Sequence, residues 1–277
     1  MEVVRWTAWR DSMVAGPIGP LAQTALCRVE QSRLPVAVGA GAIHGCLIPG
    51  PRAAELTGVL AARGDTLVFE PSGGAFWVGV KAMRDAGALA LRDQPGVDGA
   101  SAWVGPLRLT GRWADGAVTV WVIDTLAEAR ASFQGIARWE IDPAWRFPAT
   151  FTPSSNEWRR VETVRGFELP REVAGRLTVT IAGEERELVA YTKGRGAIDM
   201  LVVFKDATSG DGSYPAGRFL DVPLPDSLGR TVLDFNRARN PDCAFTESSP
   251  CPLPPPENRF GVRIEAGERN YEVKGEG

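Results

Sequence analysis

Histidine is almost missing from this chain: among 277 residues there is one, His44. A Ser-His-Asp triad would have to use it, and no G-x-S-x-G elbow is present to supply the serine. Cysteine is scarce as well. Cys27, Cys46, Cys243 and Cys251 form no C-x-x-C pair, and zinc needs three or four Cys or His ligands at paired spacings, so no zinc site is expected. A carboxylate site for Mg²⁺ or Ca²⁺ stays open in principle, but no EF-hand loop is present and no metal ligand is assigned. Basic residues are not in excess, with 31 Lys and Arg against 34 Asp and Glu and a net charge of −3. That balance offers no footprint for a nucleic-acid backbone or an anionic membrane surface, so neither is an expected partner. Long apolar runs are absent too. The longest stretch without Lys, Arg, Asp or Glu, residues 34–51, carries Pro35, Pro49, Pro51 and four glycines, which suits turns and short strands. The first eleven residues have no apolar h-region, so no signal peptide is expected. A cytoplasmic protein with reduced thiols follows as the expectation.

One stretch imitates a cofactor motif. In residues 36–45 Gly39 and Gly41 fit G-x-G, but His44 stands at the third glycine position. Pro49 and Gly50 follow closely, so no helix can receive a pyrophosphate. A glycine-rich loop or strand edge is expected there, and no cofactor. His44 reads as a core or rim residue, or else as a single general base.

What the chain does have is turn formers. Gly at 31 and Pro at 21 residues make close to a fifth of the sequence, against roughly 12% in an average protein. Between them lie about ten short segments of period two. Residues 66–70 and 75–80 flank Pro71-Ser72-Gly73-Gly74 as a first hairpin, residues 105–113 and 118–123 flank Asp115-Gly116 as a second, and residues 176–181 and 187–191 flank Gly183-Glu184-Glu185 as a third. Residues 199–204, 217–222, 231–235 and 260–265 continue the series. The expected fold is mainly β, an antiparallel barrel or sandwich with a short N-terminal helix and few other helices. That helix spans residues 3–14 and docks through Trp6, Trp9 and Met13. Residues 50–63, with Pro51 at the start and Gly64 beyond the end, and residues 124–133, with Asp124 as N-cap, are the other helix candidates. One β-rich domain over 1–277 is expected. Residues 152–158 form either a linker between sub-units 1–152 and 158–277 or a loop within one barrel. The tryptophans at 77, 103, 113, 121 and 139 fall in or beside β segments and read mostly as core.

The C-terminal quarter is the specific part. It reads Phe204-Lys205-Asp206-Ala207-Thr208-Ser209-Gly210, then Tyr214-Pro215-Ala216-Gly217-Arg218-Phe219-Leu220. Next come Asp234-Phe235-Asn236-Arg237-Ala238-Arg239-Asn240-Pro241-Asp242-Cys243-Ala244-Phe245, Cys251-Pro252-Leu253-Pro254-Pro255-Pro256-Glu257-Asn258 and Ala266-Gly267-Glu268. This order closely resembles the bacterial and archaeal family called domain of unknown function 1684 (DUF1684), over residues 204–268. Arg239 stands where that family usually has Tyr, and Asp242 where it has Pro. The resemblance implies a family and no established activity.

Read physically, the proline run forces an extended path with few backbone donors. Arg218, Asn236, Arg237 and Asn240 are suitable donors to its carbonyls, which makes a polar clasp one reading. The other is a ligand site at the mouth of a β cavity. There Asp234 and Glu257 would do acid/base work with Arg218 as electrostatic partner, and Asn236, Asn240, Asn258 and Tyr214 would hold the ligand. The expected function is binding of a small, partly apolar organic molecule, with or without turnover, and the rival is a non-catalytic module. Either a monomer or a homodimer fits. Arg218, Asp234, Asn236 and Glu257 are expected to converge on one site, and Cys243 and Cys251 to lie close together.

Overall fold

The computed structural model describes residues 2–42, 45–53, 57–63, 66–72, 76–78, 101–114 and 116–272; His44 lies outside them. Two compact units emerge, one of residues 13–133 and 246–249, the other of residues 1–12, 134–245 and 250–277.

The described residues of the first unit form nine strands: β1 (Gln23–Glu30), β2 (Val36–Gly39), β3 (Cys46–Leu47), β4 (Gly58–Arg63), β5 (Thr66–Pro71), β6 (Phe76–Val78), β7 (Ser101–Val104), β8 (Leu107–Ala114) and β9 (Ala117–Asp124). They form a five-stranded sheet in the order β1-β9-β8-β7-β6 and a four-stranded sheet in the order β3-β2-β4-β5. Val38, Ile48, Leu60, Phe69, Leu109 and Val122 build the core. The β8–β9 hairpin forms as expected. The first expected hairpin does not: β5 pairs with β4, while β6 pairs with β7 in the other sheet. The partner of β5 is thus part of an expected helix. Residues 58–63 are extended because a strand puts Leu60 opposite the buried Phe69, and Gly58 lets β5 approach; a Cβ there would sit 2.5 Å from the Phe69 ring. The helix expected over 124–133 shrinks to one short turn, Glu128–Ala131. Asp124 ends β9, with its carboxylate held by Arg52 and the Leu126 N–H.

Cysteine brings a second correction. Cys27 on β1 and Cys46 on β3 are buried and joined by a disulfide, with Cα atoms 5.3 Å apart. Their sequence separation of 19 carried no signal for the pairing; the meeting of two strands from different sheets made it. Cys243 and Cys251 are thiols outside any disulfide. Thiol titration of the chain, denatured without reductant, is expected to count two thiols. A count of four would show that the Cys27–Cys46 bridge does not form.

The second unit contains the helix α1 (Glu2–Val14) up to Ser12, and six strands: β10 (Arg146–Glu162), β11 (Glu168–Ile181), β12 (Glu184–Thr192), β13 (Asp199–Phe204), β14 (Arg218–Pro223) and β15 (Arg230–Asp234). All neighbours are antiparallel in the order β14-β13-β12-β11-β10-β15. The end strands return alongside each other, where Thr231 Oγ1 donates to the Pro223 carbonyl at 2.8 Å, so the sheet is a nearly closed barrel. The third hairpin forms, with Ala182 and Gly183 at φ 53° and 82° in a two-residue turn. Residues 152–158 are neither linker nor loop. They lie inside β10, where the register shifts between Pro153 and Glu157 and Asn156 takes φ 51°. Such a bulge explains why turn formers sit inside a 17-residue strand.

Side chains fill the inside of the barrel. Leu177, Leu188, Val202, Leu220 and Leu233 pack there with Phe204, Phe235 and Phe260, whose ring centroids lie 5.2–6.3 Å apart. A second buried cluster, with Val173, Val189, Tyr191, Val203, Phe219 and Cys251, covers the opposite face of the same sheet. Residues 260–265 are not a strand, although Phe260 and Ile264 are buried as the alternation suggested. Helix α1 buries Trp6 and Arg10, while Trp9 and Met13 are exposed. The stripe read from apolar residues missed Arg10 because its burial depends on a charge partner. Trp103, Trp121 and Trp139 are half-buried, not core.

Candidate functional site

Arg218 opens β14 with no exposure at all. Its Nη1 donates to the carbonyls of Ala266 and Glu268, and its Nη2 to the Ile264 carbonyl at 2.8 Å. The same Nη2 reaches Asp206 Oδ1 at 3.2 Å, and the guanidinium lies 5.2 Å from the rings of both Trp139 and Phe204. Asp206 in turn accepts from the Ile264 N–H at 2.8 Å and from Thr208 Oγ1. Segment 260–268 makes scattered backbone bonds, to Lys205, Ala207, Trp139 and Ala238, and no ladder. The buried ion pair serves the remaining groups, the Ile264 N–H and the carbonyls of Ile264, Ala266 and Glu268. Burial of two charges is costly unless they are paired and bonded, and here the bonds go to an irregular backbone.

Glu268, fully buried, sits beside this pair. It accepts from Arg10 Nε at 3.2 Å and from the Asn240 N–H at 2.7 Å, with Arg138 at 3.5 Å. Burial pushes its carboxyl above the usual range, against these cations. Asn240 spends its Nδ2 on the Arg269 carbonyl, and its Oδ1 is buried without a partner.

The remaining expected site residues stand elsewhere. Asp234 accepts from the Asn236 backbone and side chain, and Asn236 exchanges two bonds of 2.9 Å with the Asp142 backbone. Asn258 fills the gap where β12 and β13 splay beyond Tyr191 and Leu201. Its Oδ1 accepts from the Val189 N–H at 2.8 Å, while its Nδ2 donates to the carbonyls of Val189 and Val203. Tyr214 donates to the Cys243 carbonyl at 3.0 Å, and burial pushes its hydroxyl pKa up. Cys243 and Cys251 are close, as expected: the Cys243 N–H donates to Cys251 Sγ at 3.2 Å. Hydrogen bonding to Cys251 and burial push the Cys243 thiol far up.

Arg218, Asp234 with Asn236, and Glu257 thus belong to three hydrogen-bond networks without a common member. Their hydrogen bonds do not join them as the one site expected. The charges of Arg218 and Asp206 answer the needs of an irregular backbone, as the clasp reading has it, but at residues 264–268 and not at the proline run.

Glu257 is the member that faces solvent. It follows the proline run in a single 3-10 turn, 256–258, and its side chain is 40% exposed. Arg159 Nη1 donates to it at 2.8 Å, and that bond holds the Glu257 carboxyl below its usual range. Arg159 belongs to β10 and stands directly opposite Arg171 of β11. Glu157, two residues along, accepts from Arg159, Arg176 and Ser154; with the Arg176 bond strongest, its carboxyl is held at about 2. Across the sheet from Glu157 the ladder runs Val173, Tyr191, Leu201, Asp221. Directly paired residues share a face, so these side chains line one side of the barrel. Tyr191 is 1% exposed and, among the described residues, its hydroxyl has no partner; Arg176 Nη1 is also buried without one there.

Asp221 closes the far end of this row. Burial pushes its carboxyl up, but Arg239, at 2.9 and 3.2 Å, and Lys193, at 3.0 Å, outweigh burial and hold it at about 2. A depressed folded value means stability that is present above the unfolded value of 3.8 and is lost as pH falls through about 2. The difference corresponds to about 2 kcal/mol. Denaturant titrations between pH 2 and 5 are expected to show this loss in the native chain and to lack it in Asp221→Asn. Parallel curves for the two would refute it.

Part of this was legible. Asp206, Thr208 and Glu268 lie in the motifs quoted for the C-terminal quarter, although their pairing with Arg218 and Arg10 was not. Tyr191, Arg159 and Arg176 gave no signal. Period two from Arg171 leads to Val173 and then to Gly175; a register shift between Val173 and Gly175 instead returns Arg176 to the face.

Among the described residues no group of three or more His, Cys, Asp or Glu side chains could hold a metal ion, and no helix is long and apolar enough to cross a membrane. A family model described as "Protein of unknown function (DUF1684)" matches residues 131–269. A solution NMR structure of an uncharacterized protein of Haloarcula marismortui is 34% identical; the match covers 50% of this chain and 78% of that one, with a TM-score of 0.43. No curated protein matches the chain.

Proposed function

The chain belongs to the DUF1684 family, and we propose that it is a small-molecule-binding β-barrel protein whose recognition face is the Tyr191, Arg159, Arg176 and Glu257 cluster. Asn258 fixes the segment carrying Glu257 to β12 and β13, while Arg218, Asn236 and Asn240 tie down the segments at 264–268, 142 and 269. One observation carries this reading: the Tyr191 hydroxyl is buried without a partner beneath a cluster open to solvent at Glu257 and Arg159. An unsatisfied buried hydroxyl costs about 1–3 kcal/mol, and native structures keep few of them. A ligand that bonds to it recovers this cost.

Binding is favoured over acid/base chemistry by the state of Glu257. Its pairing with Arg159 keeps it ionised, which leaves no proton to give and makes it a weak base. The net charge of −3 suits a small-molecule partner better than a nucleic acid or an anionic membrane. A cytoplasmic location goes with this reading only for a chain with four free thiols, because disulfides are rare in the cytosol; the thiol count above tests it.

Thermal shifts of the full chain against a panel of small acids, amides, alcohols and amines test the reading. At least one class is expected to raise the Tm of the native chain and to raise that of Tyr191→Phe less. A panel without any shift, or with equal shifts in both proteins, rejects it.

A further inference from the structure

Resting on that reading, the geometry points to the ligand class: we propose that this face takes a small apolar carboxylate, gripped by the Tyr191 hydroxyl and Arg176 Nη1. The buried atoms that lack partners here are both able to donate, and what the site lacks is an acceptor. The guanidinium groups of Arg159 and Arg176 stand among three carboxylates, of Glu157, Glu187 and Glu257, and Glu187, 3.6 Å from Arg176 Nε, and Glu257 are the exposed ones that an incoming anion can displace. Arg171 stands directly opposite Arg159 in the ladder and adds to the positive field there. An amine would leave Arg176 Nη1 unpaired and add a fourth positive charge.

The cluster already displays its way with carboxylates. Arg176 Nη2 reaches both oxygens of Glu157, at 3.1 and 3.3 Å, and Arg159 joins Glu157 to Glu257. Planar carboxylates match the guanidinium fork. Val173 and Leu201 flank Tyr191 in the ladder and are buried with it in one apolar cluster, so the surroundings of its hydroxyl are apolar. Glu257, at the end of the proline run and 40% exposed, is the chain's own competitor for these cations.

Calorimetric titration of the full chain with benzoate, benzamide and inorganic phosphate tests the proposal, with Tyr191→Phe, Arg176→Met and Glu257→Gln as variants and circular dichroism to check their folds. Benzoate is expected to bind at least about tenfold more tightly than benzamide, the worth of a charge-assisted hydrogen bond. Tyr191→Phe and Arg176→Met should each weaken benzoate, and Glu257→Gln should tighten it, by removing a competing negative charge. Equal binding of benzamide, weakened by Tyr191→Phe, overturns the carboxylate and leaves the binding reading standing. Phosphate binding more tightly than benzoate overturns the carboxylate as well. Benzoate binding that neither Tyr191→Phe nor Arg176→Met alters, or no binding of any probe, overturns both. Should Arg176→Met fail to fold, Tyr191→Phe and Glu257→Gln decide alone, since both leave the ladder intact.

Discussion

Arg218→Met is expected to lower the unfolding free energy by about 3–5 kcal/mol, the cost of breaking a buried ion pair from one side. The loss has two sources. Asp206 is left as a buried carboxylate with its main cation gone, and the carbonyls of Ile264, Ala266 and Glu268 lose their donor. Methionine fills the space between Trp139 and Phe204, so the change reads polar satisfaction and not volume. Arg218→Lys is expected to fail nearly as badly, because a single ammonium cannot reach three carbonyls and a carboxylate in fork geometry. Urea denaturation gives the magnitude, and amide exchange at Ile264, whose N–H is held by Asp206, gives the location. A loss below about 1 kcal/mol, or protection unchanged at Ile264, would show that the pair does not hold the segment.

Asn258→Asp comes next in size. The side chain keeps its shape and its acceptor for the Val189 N–H but loses both donors, and it sets a negative charge against the carbonyls of Val189 and Val203. The expected loss at neutral pH is more than about 3 kcal/mol, from two unsatisfied buried carbonyls at about 1–3 kcal/mol each. Acid should restore part of it. The introduced carboxyl, buried among acceptors, titrates above its unfolded value, so the native state binds the extra proton and the variant gains stability as pH falls through that range. Stability of the variant that is flat between pH 4 and 7 would contradict this account. Glu257→Gln, one residue away, makes the contrast: its pair with Arg159 is exposed to solvent, and a change within about 1 kcal/mol is expected.

These two residues show where sequence reasoning ran short. In the sequence Arg218 reads either as a donor to the carbonyls of the proline run or as the electrostatic partner in a ligand site, and Asn258 as a ligand contact. Both do donate to backbone carbonyls, Arg218 to those of Ile264, Ala266 and Glu268 and Asn258 to those of Val189 and Val203, none of which belongs to the proline run. A carbonyl carries no residue-specific mark in a sequence, so its need for a donor stays invisible until the path of the chain is known.

Period two, hairpin turns and the proline run were enough to determine a mainly β chain with a short N-terminal helix, and the family motifs were enough to place it in DUF1684. Those properties depend on neighbours in sequence: alternation sets which side chains share a face, and Gly183 admits the turn after Ala182. Strand partners, the Cys27–Cys46 bridge, the burial of Arg10 and the gathering of Tyr191 with Arg159 and Arg176 were decided by tertiary structure alone. Each joins residues from separate elements. A pairing such as β5 with β4, in place of β6, depends on which partner buries Phe69, and a register shift at Val173 moves Arg176 to the other face. Such choices follow from packing free energy summed over the whole unit, and no local window of the sequence contains it.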